Sequence, residues 1–308
     1  MTAETQAKAT PRTLIIGAAG FVGGYLVREL EDAGHSVTAV DIPQINLLDK
    51  ESVEQLIERT QPDYVVNLAA ISSVGASWKS PIDTVEVNVR GTLHLLDAVQ
   101  KFVPNAKTLL IGSAEEYAQD SKPLDEDHEL EASNPYGISK IAQENFASLY
   151  RKKYGMKIVC TRSFNHTGVG QKTAFALPSF VKQIADIQKS GRPGNIKVGN
   201  LDAYRDFSDV RDVVHVYRML LENENEFEIY NVGSGIARKV GDLLQTIVNF
   251  ATVKVNVEQD PEKMRPVDVP FQCADNGRIK RLGYWPGTDI KETLKWMFDH
   301  EFNAANCN

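Results

Sequence analysis

The sequence predicts a doubly wound α/β fold, a parallel sheet with helices on both faces, and three observations carry that expectation. Short apolar runs of strand length alternate with helical patterns from residue 13 to residue 161. The first strand runs straight into glycines at spacing three, Gly17, Gly20 and Gly23, ahead of a helical stretch. The second strand ends in an acid, Asp41. A glycine turn leading into a helix presents backbone amides to a diphosphate, and an acid at the end of the next strand meets the ribose hydroxyls of a dinucleotide.

Taken in order, residues 1–10 are polar and are expected to form a disordered tail. Residues 13–16 make the first strand, and residues 25–33 continue the first helix. Gly17, Gly20, Phe21, Val22 and Gly23 are therefore the candidate dinucleotide loop. Residues 36–40 form the second strand, and Asp41 is expected to favour NAD by repelling the extra phosphate of NADP. A helix at 52–60 precedes a strand at 64–68, which leads into Leu68, Ala69 and Ala70, small enough for a cofactor to lie against backbone. Residues 81–103 read as one long helix with Val85, Val89, Leu93, Leu96 and Val99 on one face. Residues 107–111 form the fourth strand, and Ser113 and Glu115 follow at its carboxyl end, the edge where open parallel sheets bind ligands. Ser113 suits a hydrogen bond to a substrate oxygen. Glu115 reads either as an acid or base or as a solvated loop acid.

The next helix, residues 137–153, opens on Asn134-Pro135-Tyr136-Gly137-Ile138-Ser139-Lys140, and a strand at 157–161 follows it. Tyr136 and Lys140 are four apart and share a helix face. A phenol ordinarily titrates near 10, and an adjacent cation lowers an acid by roughly 1 to 3 units. Lys140 is thus expected to bring Tyr136 close to working pH. Such a phenol exchanges a proton with a sugar oxygen while hydride moves at the attached carbon.

Composition narrows the class. With 308 residues, 42% hydrophobic and 24% charged, the chain is long enough for a substantial core. A net charge of -7 and a pI near 5.5 argue against nucleic-acid or membrane-surface partners. Cys160, Cys273 and Cys307 are too scattered for a disulfide framework or a zinc site, and none of the six His has metal-ligand spacing. No metal is expected, and a reducing, cytoplasmic setting fits. No apolar run approaches a membrane span.

Gly17/Gly20/Gly23, Asn67-Leu68-Ala69-Ala70, Ser113 and Tyr136/Lys140, in that order, resemble the extended short-chain dehydrogenase/reductase family in its nucleotide-sugar branch, whose cofactor domain is a Rossmann fold. Residues 162–168 and 199–212 resemble the GDP-mannose-derived sugar enzymes, nearest to the GDP-6-deoxy-D-mannose reductase subfamily, with the GDP-mannose 4,6-dehydratases as sister group. The similarity runs over residues 13–298. It implies NAD or NADP as cofactor, a GDP-sugar ketone as substrate, and reduction of the 4-keto group of GDP-4-keto-6-deoxy-D-mannose. Ser113, Tyr136 and Lys140 match the catalytic hydroxyl, Tyr and Lys, and Glu115 falls where dehydratases carry a catalytic Glu. The resemblance also implies cofactor contacts at Asn46 and Leu47, and nucleotide-sugar contacts at Asn165, Val198, Arg205 and Arg265. For Arg205 and Arg265 a guanidinium gripping phosphate agrees with their polar surroundings, and a plain surface Arg is the alternative. The family further implies a homodimer paired through a four-helix bundle, for which Leu95, Phe146 and Leu149 are read as outward-facing. Two departures stand out: Asp41-Ile42-Pro43 where dehydratases carry basic residues, and Val169 in place of a Pro. Dehydration or epimerisation is the alternative activity. A silent NAD-binding sensor or scaffold is the alternative of another class, which oxidation of NADH on adding a keto-sugar nucleotide would separate.

Residues 212–221 and 228–232 are expected to return a helix and strand to the sheet. A cofactor domain of residues 11–165 and 212–235 is thus expected, with a nucleotide-sugar lobe of residues 166–211 and 236–308. The lobe takes in residues 175–191, a polar loop at 262–270 and a closing helix at 290–298. His166 lies in the sugar-binding motif, where a hydrogen-bonded structural role is equally open.

Overall fold

A computed structural model describes residues 10–264, 269–283 and 287–304. Six strands form one parallel sheet in the order Ser36–Val40, Arg12–Ile16, Tyr64–Asn67, Lys107–Ser113, Ile158–Ser163 and Ile229–Val232. Side-chain alternation divides each strand between two cores. Leu14, Ile16, Val65, Leu110, Ile158 and Cys160 meet the helices Lys50–Thr60, Gly91–Phe102 and Pro135–Tyr154. Ile15, Val66, Leu109 and Val159 meet the helices Phe21–Asp32 and Val210–Glu222 on the opposite face. This is the doubly wound arrangement expected from the alternation of elements.

A third apolar cluster joins the helices Ala176–Ser190, Val240–Val248 and Ile290–Asn303. Beside it, Tyr204–Asp209 pairs with Asn165–Thr167, Ala237–Lys239 and Phe271–Gln272, and Val255–Gln259 pairs with Gly194–Val198. Among the described residues no helix is long and apolar enough to cross a membrane. Residues 1–9, expected as a tail, lie outside the described residues.

The long helix expected at 81–103 differs in one respect. It begins as Pro81–Val85, passes through a π-helical turn at Glu86–Arg90, and continues as Gly91–Phe102. The π turn holds one extra residue and rotates the preceding segment relative to the sheet. Thr84, Asn88, Gly91, Thr92, Leu95, Leu96, Ala98 and Val99 are consequently buried, while Val85, expected to share a face with Leu96 and Val99, is exposed. Leu95, expected on the outer face, is buried in the core. Apolar exposure on this side comes instead from Trp78, Ile82, Val85, Ile138 and Leu149, and Phe146 is half-buried.

Candidate active site

Backbone builds the first corner of the site. Gly17 leaves the strand Arg12–Ile16 with φ +85°, and a Cβ there would lie 2.6 Å from the Ala69 nitrogen and 2.8 Å from the Leu68 carbonyl carbon. Only glycine fits both that conformation and that approach. Gly20 caps the helix Phe21–Asp32, its N–H donating to the Gly17 carbonyl at 3.2 Å. At Gly23 a Cβ would meet the Ala18 oxygen at 2.4 Å. Val22 packs into the core behind the loop, and Phe21 stacks on His166, with ring centroids 6.2 Å apart and planes 8° apart. His166 Nδ1 donates to the Phe164 carbonyl, so its ring is fixed by structure as well as by contact.

Asp41 closes this corner. Its Oδ2 accepts from the Ala19 N–H at 2.9 Å and its Oδ1 from the Ile42 N–H at 2.8 Å. A carboxylate has about four acceptor sites, which leaves capacity for hydroxyls. Of the other expected cofactor residues, Asn46 is exposed and caps the Leu48 N–H. Leu47 places its side chain in the core, while its carbonyl accepts from His94 Nδ1. Leu68, Ala69 and Ala70 line up at the strand end that Gly17 touches, all partly exposed.

Asn88 joins this edge to the helix Pro135–Tyr154. It accepts from the Ile71 N–H at 2.9 Å, donates to the Ile71 carbonyl at 3.2 Å, and donates to Ser139 Oγ at 2.9 Å. It sits in the π turn and is fully buried. A lone Asn inside an apolar helical pattern gives no sequence signal of this bridge. Asn134 is the N-cap of the helix Pro135–Tyr154. Its Oδ1 accepts from the Gly137 N–H, and its Nδ2 donates to Glu115 Oε2 at 2.8 Å.

The second corner follows the strand Lys107–Ser113, where the structure brings Ser113, Glu115, Tyr136 and Lys140 together. Tyr136 is buried, and burial pushes its phenol above the usual value against the opposing hydrogen bond of Ser113. Glu116, Glu115 and Tyr217 add to the rise. Lys140 Nζ donates to the Ile111 carbonyl at 2.7 Å and to Gln143 Oε1 at 3.1 Å, and lies 5.9 Å from the Tyr136 ring centroid. Burial lowers this ammonium to about 8, with Glu116 opposing. The expected lowering of Tyr136 is therefore reversed, because desolvation outweighs a cation held by other partners.

Glu116, which the sequence does not distinguish from Glu115, is fully buried and accepts the Ser113 N–H at 2.6 Å. Ser113 Oγ accepts the Glu115 N–H at 3.2 Å, and the two ends of this short turn cap each other. Arg162 lies behind, donating to both oxygens of Glu144 at 3.0 and 2.6 Å and facing the Tyr117 ring. A protonated phenol, a hydroxyl and a buried ammonium at one strand end can protonate and hold a carbonyl oxygen.

The remaining expected residues spread over neighbouring strands. Asn165 lies on Asn165–Thr167, and its side-chain nitrogen is buried without a hydrogen-bond partner. Val198 ends Gly194–Val198, its side chain in the third cluster and its carbonyl accepting from the Asp260 N–H. Arg205 lies on Tyr204–Asp209 and donates to the Tyr204 carbonyl. Arg265 falls outside the described residues. A small recess near Glu115 is lined by Tyr117, Gln119, Ser133, Phe271 and Gln272.

With this geometry in view, comparison with known proteins is direct. The GDP-mannose 4,6 dehydratase family profile matches residues 38–297. The GDP-6-deoxy-D-mannose reductase of Pseudomonas aeruginosa is 31% identical over 291 residues, covering 93% of this chain and 95% of that protein. GDP-mannose 4,6 dehydratase 1 of Arabidopsis thaliana is 27% identical over 328 residues, covering 95% and 90%. Among solved structures, RMD from Pseudomonas aeruginosa complexed with NADPH superposes with a TM-score of 0.88 at 30% identity, over 96% of this chain and 100% of that one. The glycine corner, the six-stranded sheet and these similarities agree, and the chain belongs to the GDP-mannose 4,6-dehydratase-like group of the extended short-chain dehydrogenase/reductase family.

Proposed function

We propose that this protein reduces the 4-keto group of GDP-4-keto-6-deoxy-D-mannose to give GDP-6-deoxy-D-mannose (GDP-D-rhamnose), with NADH or NADPH as hydride donor. The observation that carries the reading is the buried Tyr136 phenol beside Ser113, with Lys140 one turn along the same helix. Similarity to the Pseudomonas reductase and to its NADPH complex supports the choice of ketone and cofactor. The residues present fit a dinucleotide, since Gly17 lets the turn before the helix Phe21–Asp32 pack against the Leu68 and Ala69 backbone, and Asp41 beside it keeps acceptor capacity for ribose hydroxyls.

A reduced nicotinamide held at this strand end would supply the hydride for the ketone carbon. Tyr136 gives its proton to the ketone oxygen, Ser113 holds that oxygen, and Lys140 binds the nicotinamide ribose and faces the phenolate that results. A developing alkoxide is a much stronger base than a phenolate. A phenol kept protonated by burial therefore suits reduction. Asn165, Val198, Arg205 and Arg265 hold the nucleotide sugar in this reading, the unpartnered amide of Asn165 being available for a polar ligand. Residues 11–165 and 212–235 then serve the cofactor, and residues 166–211 and 236–308 serve the sugar nucleotide. Two copies pair through the helical faces that expose Ile82, Val85, Ile138 and Leu149. Sedimentation showing only monomer at micromolar concentration would remove that pairing.

A second reading is dehydration of GDP-mannose, which the anchoring of Glu115 by Asn134 favours. The test is to mix the protein with NADPH and either the keto sugar nucleotide or GDP-mannose, and to identify the products. Stoichiometric cofactor consumption with the ketone, and no conversion of GDP-mannose, is expected. Loss of water from GDP-mannose without net cofactor use, abolished by Glu115→Gln, would transfer the assignment to the dehydratase.

A further inference from the structure

Lys140 is buried, and its ammonium has three donors and no acceptor, so each N–H needs a partner. Two are committed, one to the Ile111 carbonyl at 2.7 Å and one to Gln143 Oε1 at 3.1 Å. Gln143 is buried on the same helix, Pro135–Tyr154, and its Nε2 donates to the same Ile111 carbonyl at 3.3 Å. Ile111 lies one residue past the last register pair between Lys107–Ser113 and Tyr64–Asn67, Leu110 with Asn67, and there side chains reach its carbonyl.

This triangle selects an amide. An ammonium only donates and a carbonyl only accepts, so the side chain that joins them has to accept from one and donate to the other. The same requirement fixes which way the Gln143 amide points. A carboxylate would set an oxygen against the Ile111 carbonyl, and an aliphatic side chain would serve neither group. Gln143 is also tied toward the cofactor corner. Its Oε1 lies 3.4 Å from Thr92 Oγ1, which donates to the Asn88 carbonyl at 2.7 Å and accepts from Asn67 Nδ2 at 3.3 Å. Asn67 in turn accepts the Ala69 N–H at 3.2 Å. A buried polar chain thus runs from the strand end carrying Ala69 to the ammonium, with Gln143 as its last link.

We propose that Gln143 is a positioning residue for the cofactor, clamping the Lys140 ammonium together with Ile111 so that the third N–H is left for the nicotinamide ribose. The inference rests on the role given above to Lys140. Without the amide the ammonium keeps one fixed partner and turns about it. The loss then falls on the half of the dinucleotide that Lys140 touches and spares the adenine half.

The experiment titrates wild type, Gln143→Met and Gln143→Asn with NADH, NADPH and ADP by calorimetry. ADP carries the adenine ribose and the diphosphate of both dinucleotides but no nicotinamide ribose. Met has a similar volume and offers no amide, whereas Asn keeps the amide on a shorter arm. Gln143→Met is expected to weaken whichever of NADH and NADPH wild type binds more tightly by roughly tenfold, the worth of a hydrogen bond to a charged group, with ADP affinity unchanged. Gln143→Asn should weaken the dinucleotide in the same selective way, and it decides the matter if Gln143→Met fails to fold. In ketone reduction the KM for the cofactor should rise while that for the sugar nucleotide stays at the wild-type value. If wild type reduces no ketone the functional reading fails, while the titrations still test Gln143. Unchanged dinucleotide affinity in the variant that folds, or a loss for ADP equal to that for the dinucleotide, overturns the proposal.

Discussion

The two corners of the site are built by opposite means. After the first strand, Gly17, Gly20 and Gly23 let backbone approach backbone, and no charge is buried there. After the fourth strand, Gly112 gives way to Ser113, Glu116, Lys140, Arg162 and Glu144, a buried set of two cations and two carboxylates packed around one phenol. The first corner depends on shape and tolerates little added volume. The second depends on a balance of desolvated charge, in which losing one member leaves another uncompensated.

That contrast can be broken most sharply at Tyr136. Tyr136→Phe removes the proton donor without changing the shape, and reduction should fall about 10² to 10⁴-fold with NADPH binding retained. A loss of binding of equal size would place Tyr136 in cofactor capture and not in proton transfer. Gly17→Ala tests the other corner. The left-handed backbone alone costs an alanine roughly 1 to 2 kcal/mol, and the 2.6 Å approach to Ala69 adds to it. Thermal stability and NADPH affinity should fall together, and unchanged affinity would move the dinucleotide elsewhere.

Asp41→Ala should shift selectivity more than activity, weakening NADH and relieving the bias against NADPH. Equal losses with both cofactors would refute a ribose contact. The smallest effect is expected at Glu115→Gln, since an amide still accepts from Asn134 and reduction requires no second acid. A slowing comparable to that of Tyr136→Phe would show Glu115 in the chemistry.

The sequence by itself determined the parallel sheet, the glycine corner, Asp41 and the Tyr136/Lys140 pair. These are local: a turn requires glycine, a strand requires alternation, and spacing of four puts two side chains on one helix face. The π turn at Glu86–Arg90 was not legible, because buried Asn88 finds its partners on the helix Pro135–Tyr154 and the Ile71 backbone, far away in the chain. Glu115 and Glu116 are adjacent acids with opposite environments, and what separates them is the floor of Gly112, Arg162 and Lys140 beneath one of the two. Only the tertiary structure reversed the expected direction at Tyr136. Proximity to a cation can be read from spacing, whereas desolvation depends on every element packed around the phenol.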